Sequence, residues 1–150
     1  MRPISIVIAL VAATLGFHFA GVQLRLECHR ALLTAAGAGD DQRLRLLLGV
    51  GCNDRGGPWA NSALFDAVRA GHRSTARLLL ENGWDPLVGN KADGSALHQA
   101  VVAGDEELAL EFLRVVRLDS RELVQVRRAA QRLGRSRVLT ELNRLESAAR

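Results

Sequence analysis

Apolar positions along the chain follow two different patterns. Ile4 to Leu24 is one apolar run in which only Ser5, Thr14, His18 and Gln23 are polar. From Ala31 onward the apolar residues instead come in short clusters at helical spacing. Leu97, Ala100 and Val101, for example, sit at i, i+3 and i+4, one face of a helix. The first pattern predicts a lone apolar helix, and the second predicts a series of short amphipathic helices.

The clusters repeat. Ala31-Leu32-Leu33-Thr34-Ala35-Ala36-Gly37-Ala38-Gly39-Asp40 aligns with Ala63-Leu64-Phe65-Asp66-Ala67-Val68-Arg69-Ala70-Gly71-His72. Both align with Ala96-Leu97-His98-Gln99-Ala100-Val101-Val102-Ala103-Gly104-Asp105. The starts lie 32 and 33 residues apart, and a leucine-rich run follows each segment: Leu44 to Leu48, Ala76 to Leu80, Leu108 to Leu113. A fixed period of this size marks a repeat array. Each unit reads as two short antiparallel helices. Ser62 and Ser95 stand where a hydroxyl can cap a first helix. Gly39, Gly71 and Gly104 stand where that helix must turn left-handed. Ala67 and Ala100 are small enough for helices to approach closely. One such pair has too little interior to be stable alone, so neighbours must stack.

The period, the helix pair and the motif resemble the ankyrin repeat over about residues 28–115. Ser95-Ala96-Leu97-His98-Gln99-Ala100 stands where that family has Thr-Pro-Leu-His-x-Ala, and Gly104 follows. Ser62-Ala63-Leu64-Phe65 with Gly71-His72 is a second match, closed by Gly83 and Asp85. Arg30-Ala31-Leu32-Leu33 with Gly51-Cys52-Asn53 is a degenerate first one. Three departures stand out. Phe65 and Leu33 replace the motif His, Ala replaces the motif Pro in every repeat, and no Gly-x-Asp follows Leu113. The resemblance implies an all-α stack of about three repeats, with residues 116–150 as a basic helical C-terminal cap rather than an ordinary fourth hairpin. In the cap, Ala130 and Gly134 echo Ala100 and Gly104 at a spacing of 30.

Residues 1–24 are long enough for a bilayer core, which about 20 apolar residues cross as a helix. An uncleaved single-pass anchor in a bacterial inner membrane is the leading expectation. A cleaved export signal, leaving the repeats periplasmic, comes second, because His18 and Thr14 spoil the small-x-small sites ending at Ala20 and Gly16. A buried globular helix comes third. Arg2 lies on one side of the run and Arg25 and Arg30 on the other, so charge gives no orientation.

Composition narrows the chemistry. The 150 residues are 48% hydrophobic with 4% aromatic, which favours helices packed through Leu and Ala over a β-sandwich. Of the 20 basic residues only Lys91 is not Arg, the usage of a GC-rich, bacterial coding sequence. The net charge of +4 is uneven: ten Arg oppose four acidic residues from Arg114 onward, a net +6, which leaves −2 on residues 1–113. No G-x-S-x-G, H-E-x-x-H, C-x-x-C, phosphate loop or dinucleotide fingerprint occurs. His18, His29, His72 and His98 do not share ligand spacing. The resemblance makes His98 structural, tying turn backbone to helix. Cys52 reads as a buried, inert thiol. Its pairing with Cys28 would need Cα atoms within about 7 Å and stays open. Asp40-Asp41 and Asp105-Glu106-Glu107 read as helix starts, where negative charge suits the dipole. No enzyme, metal or cofactor is expected.

The resemblance implies a non-enzymatic protein-binding module, monomeric, held at a membrane through residues 4–24. Its partner would be a protein gripped by the concave side. Two alternatives remain. One is an immunity-type or accessory protein for a secreted or periplasmic enzyme. The other is contact with nucleic acid or anionic lipid through Arg128, Arg132 and Arg135, which recur at helical spacing. Nucleic acid is disfavoured because the cap has no aromatic residue for base stacking. The expected partner-binding residues are Arg55, Trp59, Asn61, Asp66, Arg69, Asn90, Lys91, Asp93, Gln99 and Val102. Trp59 is the foremost, since a large aromatic in a Gly-Gly-Pro loop is costly to leave in water and aromatic residues dominate interface hot spots. Trp84 is weaker, because it stands at a usually small position and can pack over the next repeat.

Overall fold

The computed structural model describes residues 26–52, 62–90 and 94–148. These form eight helices in four antiparallel pairs. The first pair is α1, helical over residues 26–38, and α2 (Asp41–Gly49). The next two pairs are α3 (Ser62–Arg69) with α4 (Arg73–Glu81), and α5 (Ala96–Ala103) with α6 (Glu106–Val115). The fourth is α7 (Ser120–Arg132) with α8 (Ser136–Ala148). The odd-numbered helices form an inner layer, where α3 packs on α5 and α5 on α7; in the outer layer α2 packs on α4 and α6 on α8. A two-residue antiparallel ladder, β1 (Gly89–Asn90) with β2 (Gly94–Ser95), ties the base of the loop between α4 and α5.

Every pair turns by the same device. The amide of the residue after the turn glycine donates to the carbonyl of an alanine five positions back: Asp40 to Ala35 at 2.9 Å, His72 to Ala67 at 2.9 Å, Asp105 to Ala100 at 3.0 Å and Arg135 to Ala130 at 2.8 Å. At two of these turns a neighbour makes the absence of a Cβ doubly necessary. Gly39 has φ +71° and the His72 ring lies where its Cβ would be, 2.6 Å away. Gly104 has φ +84° and the Arg135 guanidinium lies 2.7 Å from the same point. Both side chains belong to the following pair. His72 Nε2 hydrogen-bonds the Gly37 carbonyl at 3.1 Å, and Arg135 Nε donates to the Val101 carbonyl at 3.3 Å. Each side chain thus ties its own pair to a carbonyl in the last turn of the preceding inner helix.

The helices start where capping chemistry allows. Ser95 accepts from the His98 amide at 3.2 Å, as its position predicts. Asp40, Asp105 and Asp119 accept from Arg43, Leu108 and Glu122 in the same way. The two acidic clusters therefore do begin outer helices. The core is the leucine and alanine register itself. Leu32, Leu64 and Leu97, with Ala35, Ala67, Ala100 and Ala130, are buried. The outer helices add Leu79, Phe112 and Leu142. Trp84 is 2% exposed, so it packs inside and contributes no contact surface.

Three sequence expectations need revision. Among the described residues no helix is long and apolar enough to cross a membrane. The reason is length: those from α2 on run eight to thirteen residues, about 12–20 Å at 1.5 Å per residue, against a core of about 30 Å. The single-pass anchor is accordingly not sustained, and the apolar helix expected over residues 4–24 lies outside the described residues. Cys52 is not an inert thiol: it is disulfide-bonded to Cys28, with Cα atoms 5.3 Å apart. The bond ties α1 to the end of α2. Finally, residues 116–150 contain a full helix pair in register with the others. It differs in lacking the long loop, since only residues 116–119 separate α6 from α7.

Ion pairs cross from one outer helix to the next. Arg73 on α4 reaches Asp105 at 2.8 Å and Glu107 at 3.2 Å at the start of α6. Arg77 holds Glu111 with two nitrogens, at 2.8 and 2.5 Å. The buried Thr75 hydroxyl donates to Asp41 at 2.5 Å. Hydrogen bonding to Arg77 lowers the Glu111 carboxyl below its ordinary value.

Three outcomes test this account. Leu97→Asp buries a charge at a site that is 0% exposed, at a cost of several kcal/mol, and should abolish the helical circular dichroism of the stack. Reduction of Cys28–Cys52, which are separated by 24 residues, should remove about 3 kcal/mol of chain-entropy stabilisation, seen as a lower melting temperature. A lowered carboxyl contributes stability that is present above its unfolded-state value and is lost as pH falls through the folded one. Glu111→Gln should therefore melt below wild type at neutral pH and converge with it once the carboxylates are protonated.

Candidate protein-binding face

The inner layer has one side turned toward the outer helices and one turned away. The residues on the far side follow from the register. Thr34, Asp66 and Gln99 form one row across α1, α3 and α5. Gly37, Arg69, Val102 and Arg132 form the next, and Ala38, Ala70, Ala103 and Leu133 the third. Apart from the half-buried Asp66 and Gln99 these positions are exposed, whereas Ala67 and Ala100 on the opposite side of the same helices are fully buried. The turn glycines and the cross-repeat bonds at His72 and Arg135 fix the spacing of the rows.

The expected partner-binding residues divide accordingly. Asp66, Arg69, Gln99 and Val102 lie together on this inner face. Arg69 is exposed and pairs with Asp66 at 3.4 Å on the same helix. Val102 is 37% exposed. Asn90 lies in β1, its backbone paired with Gly94 at the base of the α4–α5 loop. Arg55, Trp59, Asn61, Lys91 and Asp93 lie outside the described residues. His98 packs its ring against Gly94, where a Cβ would come within 2.9 Å, so it fixes the foot of that loop.

The fourth pair adds residues that the repeat alignment alone did not select. Relative to α5, helix α7 begins six residues earlier in register, so its first turns stand where the preceding unit carries its β-ladder. Arg121, Val124, Gln125, Arg128 and Arg132 are all exposed. Val126, Ala129 and Ala130 are buried on the opposite side. Arg135, expected to complete a stripe with Arg128 and Arg132, instead reaches the Val101 carbonyl. Arg121 takes its place. The spacing of 30 between Ala100 and Ala130, extended back along α7, was the signal that could have found Arg121.

Other surfaces offer less. Arg127 occupies the register position of Leu32, Leu64 and Leu97, and it lies 2.8 Å from Glu146 and 2.9 Å from Asn143. An ion pair thus stands where the other inner helices bury a leucine. Beside it a cleft of about 490 Å³ is lined by Val116, Leu118, Leu123 and Leu145, together with Arg117 and Glu146. A smaller charged cleft of about 190 Å³ lies among Glu107, Glu111, Arg114 and Arg137 on the outer helices. Among the described residues no cluster of His, Cys, Asp or Glu could hold a metal ion.

Comparison with known proteins accords with this geometry. The family model described as ankyrin repeats (3 copies) matches residues 15–120. No curated protein matches the chain. Ankyrin repeats are in general protein–protein interaction modules, which agrees with an ordered face of exposed side chains on a rigid core. The matched span covers more than half of the 150 residues and includes the repeat motifs, the turn glycines and the first three helix pairs: the chain belongs to the ankyrin repeat family.

Proposed function

We propose that this chain is a non-enzymatic binding module that holds a protein partner against the concave side of its inner helices. One observation carries the reading. The inner-face rows expose a mixed set of charged, polar and apolar side chains on helices whose other side is fully buried. Such a face can present contacts without reorganising, and pre-organisation lowers the entropic cost of binding. Asp66, Arg69, Gln99 and Val102 are its central residues. Arg55, Trp59, Asn61, Asn90, Lys91 and Asp93, in the segments that precede α3 and α5 in the sequence, are proposed to contribute as well. Trp59 is the proposed anchor, acting together with Arg69.

The test is capture of partners by the full chain, followed by measurement of affinity for the captured protein. Trp59→Ala combined with Arg69→Ala should lower that affinity at least tenfold, about 1.4 kcal/mol, because truncated aromatic and Arg hot spots commonly cost that much or more. The melting temperature should hold, since Arg69 makes only an exposed pair within its own helix. Unchanged affinity in the double variant would move the interface off the concave side.

A further inference from the structure

The inner face is not uniform in charge along the stack. At α3 the one exposed cation, Arg69, is balanced by Asp66. At α5 the exposed residues are uncharged. At α7 the face carries Arg121, Arg128 and Arg132, and none of these forms an ion pair with another described residue. At 100° per residue their directions fall within about 40° of one another. They therefore form a single line roughly 16 Å long.

The acidic groups around this line face elsewhere. On α7 the only carboxylate is Glu122, half-buried and bonded to Ser95. Asp119 caps the helix. Glu146, on α8, lies against Arg127, while Glu141, also on α8, is held by Arg144. On α6, Asp105 and Glu107 are held by Arg73, Glu111 by Arg77, and Glu106 accepts from the Arg137 amide.

Apolar groups sit beside the line. Val124 is 42% exposed on α7, Leu133 is 37% exposed at its end, and Val102 is 37% exposed on α5 in the same row as Arg132. Such a surface combines charge selection with places for apolar side chains. It lacks the aromatic platforms on which nucleic-acid bases stack, since residues 114–150 contain no Phe, Trp or Tyr.

We propose that the inner face of α7, continued onto α5 at Val102, docks an extended acidic segment of a protein partner with apolar residues between its carboxylates. This rests on the reading of the concave side as a protein-binding face and names the chemistry of what binds there. The spacing sets a pattern. Arg121 to Arg128 rises about 10.5 Å and Arg128 to Arg132 about 6 Å along the helix. An extended chain advances about 3.3 Å per residue. Carboxylates about 10 Å and then about 6 Å apart along the segment therefore match the three guanidinium groups. Apolar residues between them fall over Val124 and toward Val102 and Leu133.

The experiment is selection of a random-peptide library on the immobilised full chain, followed by anisotropy titration of the enriched peptides. Enrichment of acidic peptides with interleaved apolar residues is expected. Arg128→Gln with Arg132→Gln should weaken their binding at least tenfold, and Val124→Asp should do the same. Circular dichroism of each variant should match wild type, because all three side chains are exposed. Binding should also weaken as salt screens the pairs. Enrichment of neutral or basic peptides, no enrichment, or titrations insensitive to all three substitutions would overturn the proposal. So would tighter binding of a single-stranded oligonucleotide than of any enriched peptide. If the α7 variants change nothing while Trp59→Ala with Arg69→Ala still abolishes capture of the protein partner, this assignment fails and the concave-face reading stands. If neither set has an effect, both fail.

Discussion

No helix pair in this protein can bury its own apolar side, and the rest of the structure follows from that constraint. The shortest inner helices have eight residues, too few to be stable in isolation. Leu64 and Leu97 are nonetheless fully buried, because each lies between its own outer helix and the neighbouring pairs. The alanines at 35, 67, 100 and 130 make this closeness sterically feasible. Each also supplies the carbonyl that accepts the turn bond, so one position serves both packing between helices and reversal of the chain. A larger residue there would separate the helices and displace the turn together.

Polar interactions between pairs are arranged on the same principle. His72 and Arg135 each cap a carbonyl on the preceding unit, and each lies over a glycine that only a bare backbone could offer. On the outer layer Arg73 and Arg77 reach forward to acidic residues on the next helix. These contacts span 31 to 35 residues, close to one repeat. Exposed ion pairs individually contribute little. Their value here is in register, because each joins two successive units.

Much of this was legible in the sequence, and the boundary of legibility has a physical cause. The repeat, the turn glycines and the Ser95 cap are local or periodic, so spacing alone exposes them. Burial of Trp84 was one of two readings, and its 2% exposure decides for it. The Cys28–Cys52 bond could not be read, because it depends on how α1 and the end of α2 approach in space. Arg128 and Arg132 were visible as a stripe, but Arg135 was miscounted with them. Its direction is set by the Val101 carbonyl on α5, 34 residues away, which no pattern within residues 120–150 reveals. Of the proposed contact residues, the structure brings Asp66, Arg69, Gln99 and Val102 onto one face. Trp59 was selected by its position in the repeat and by the place of aromatic residues in interface hot spots, and it lies outside the described residues.

The first and fourth pairs show how the same repeat is edited. In the fourth pair the position of Leu97 becomes Arg127, paired with Glu146, so that position is polar. The loop that precedes α5 is replaced by extra turns of α7, which lengthen the inner face and carry Arg121. In the first pair the disulfide holds α1 to the end of α2, while Leu46 and Val50 are 66% and 78% exposed. The middle pairs pack on described pairs at both sides. Charge on the inner face is concentrated at α7, in Arg121, Arg128 and Arg132, on the same helix that replaces the repeated leucine by Arg127.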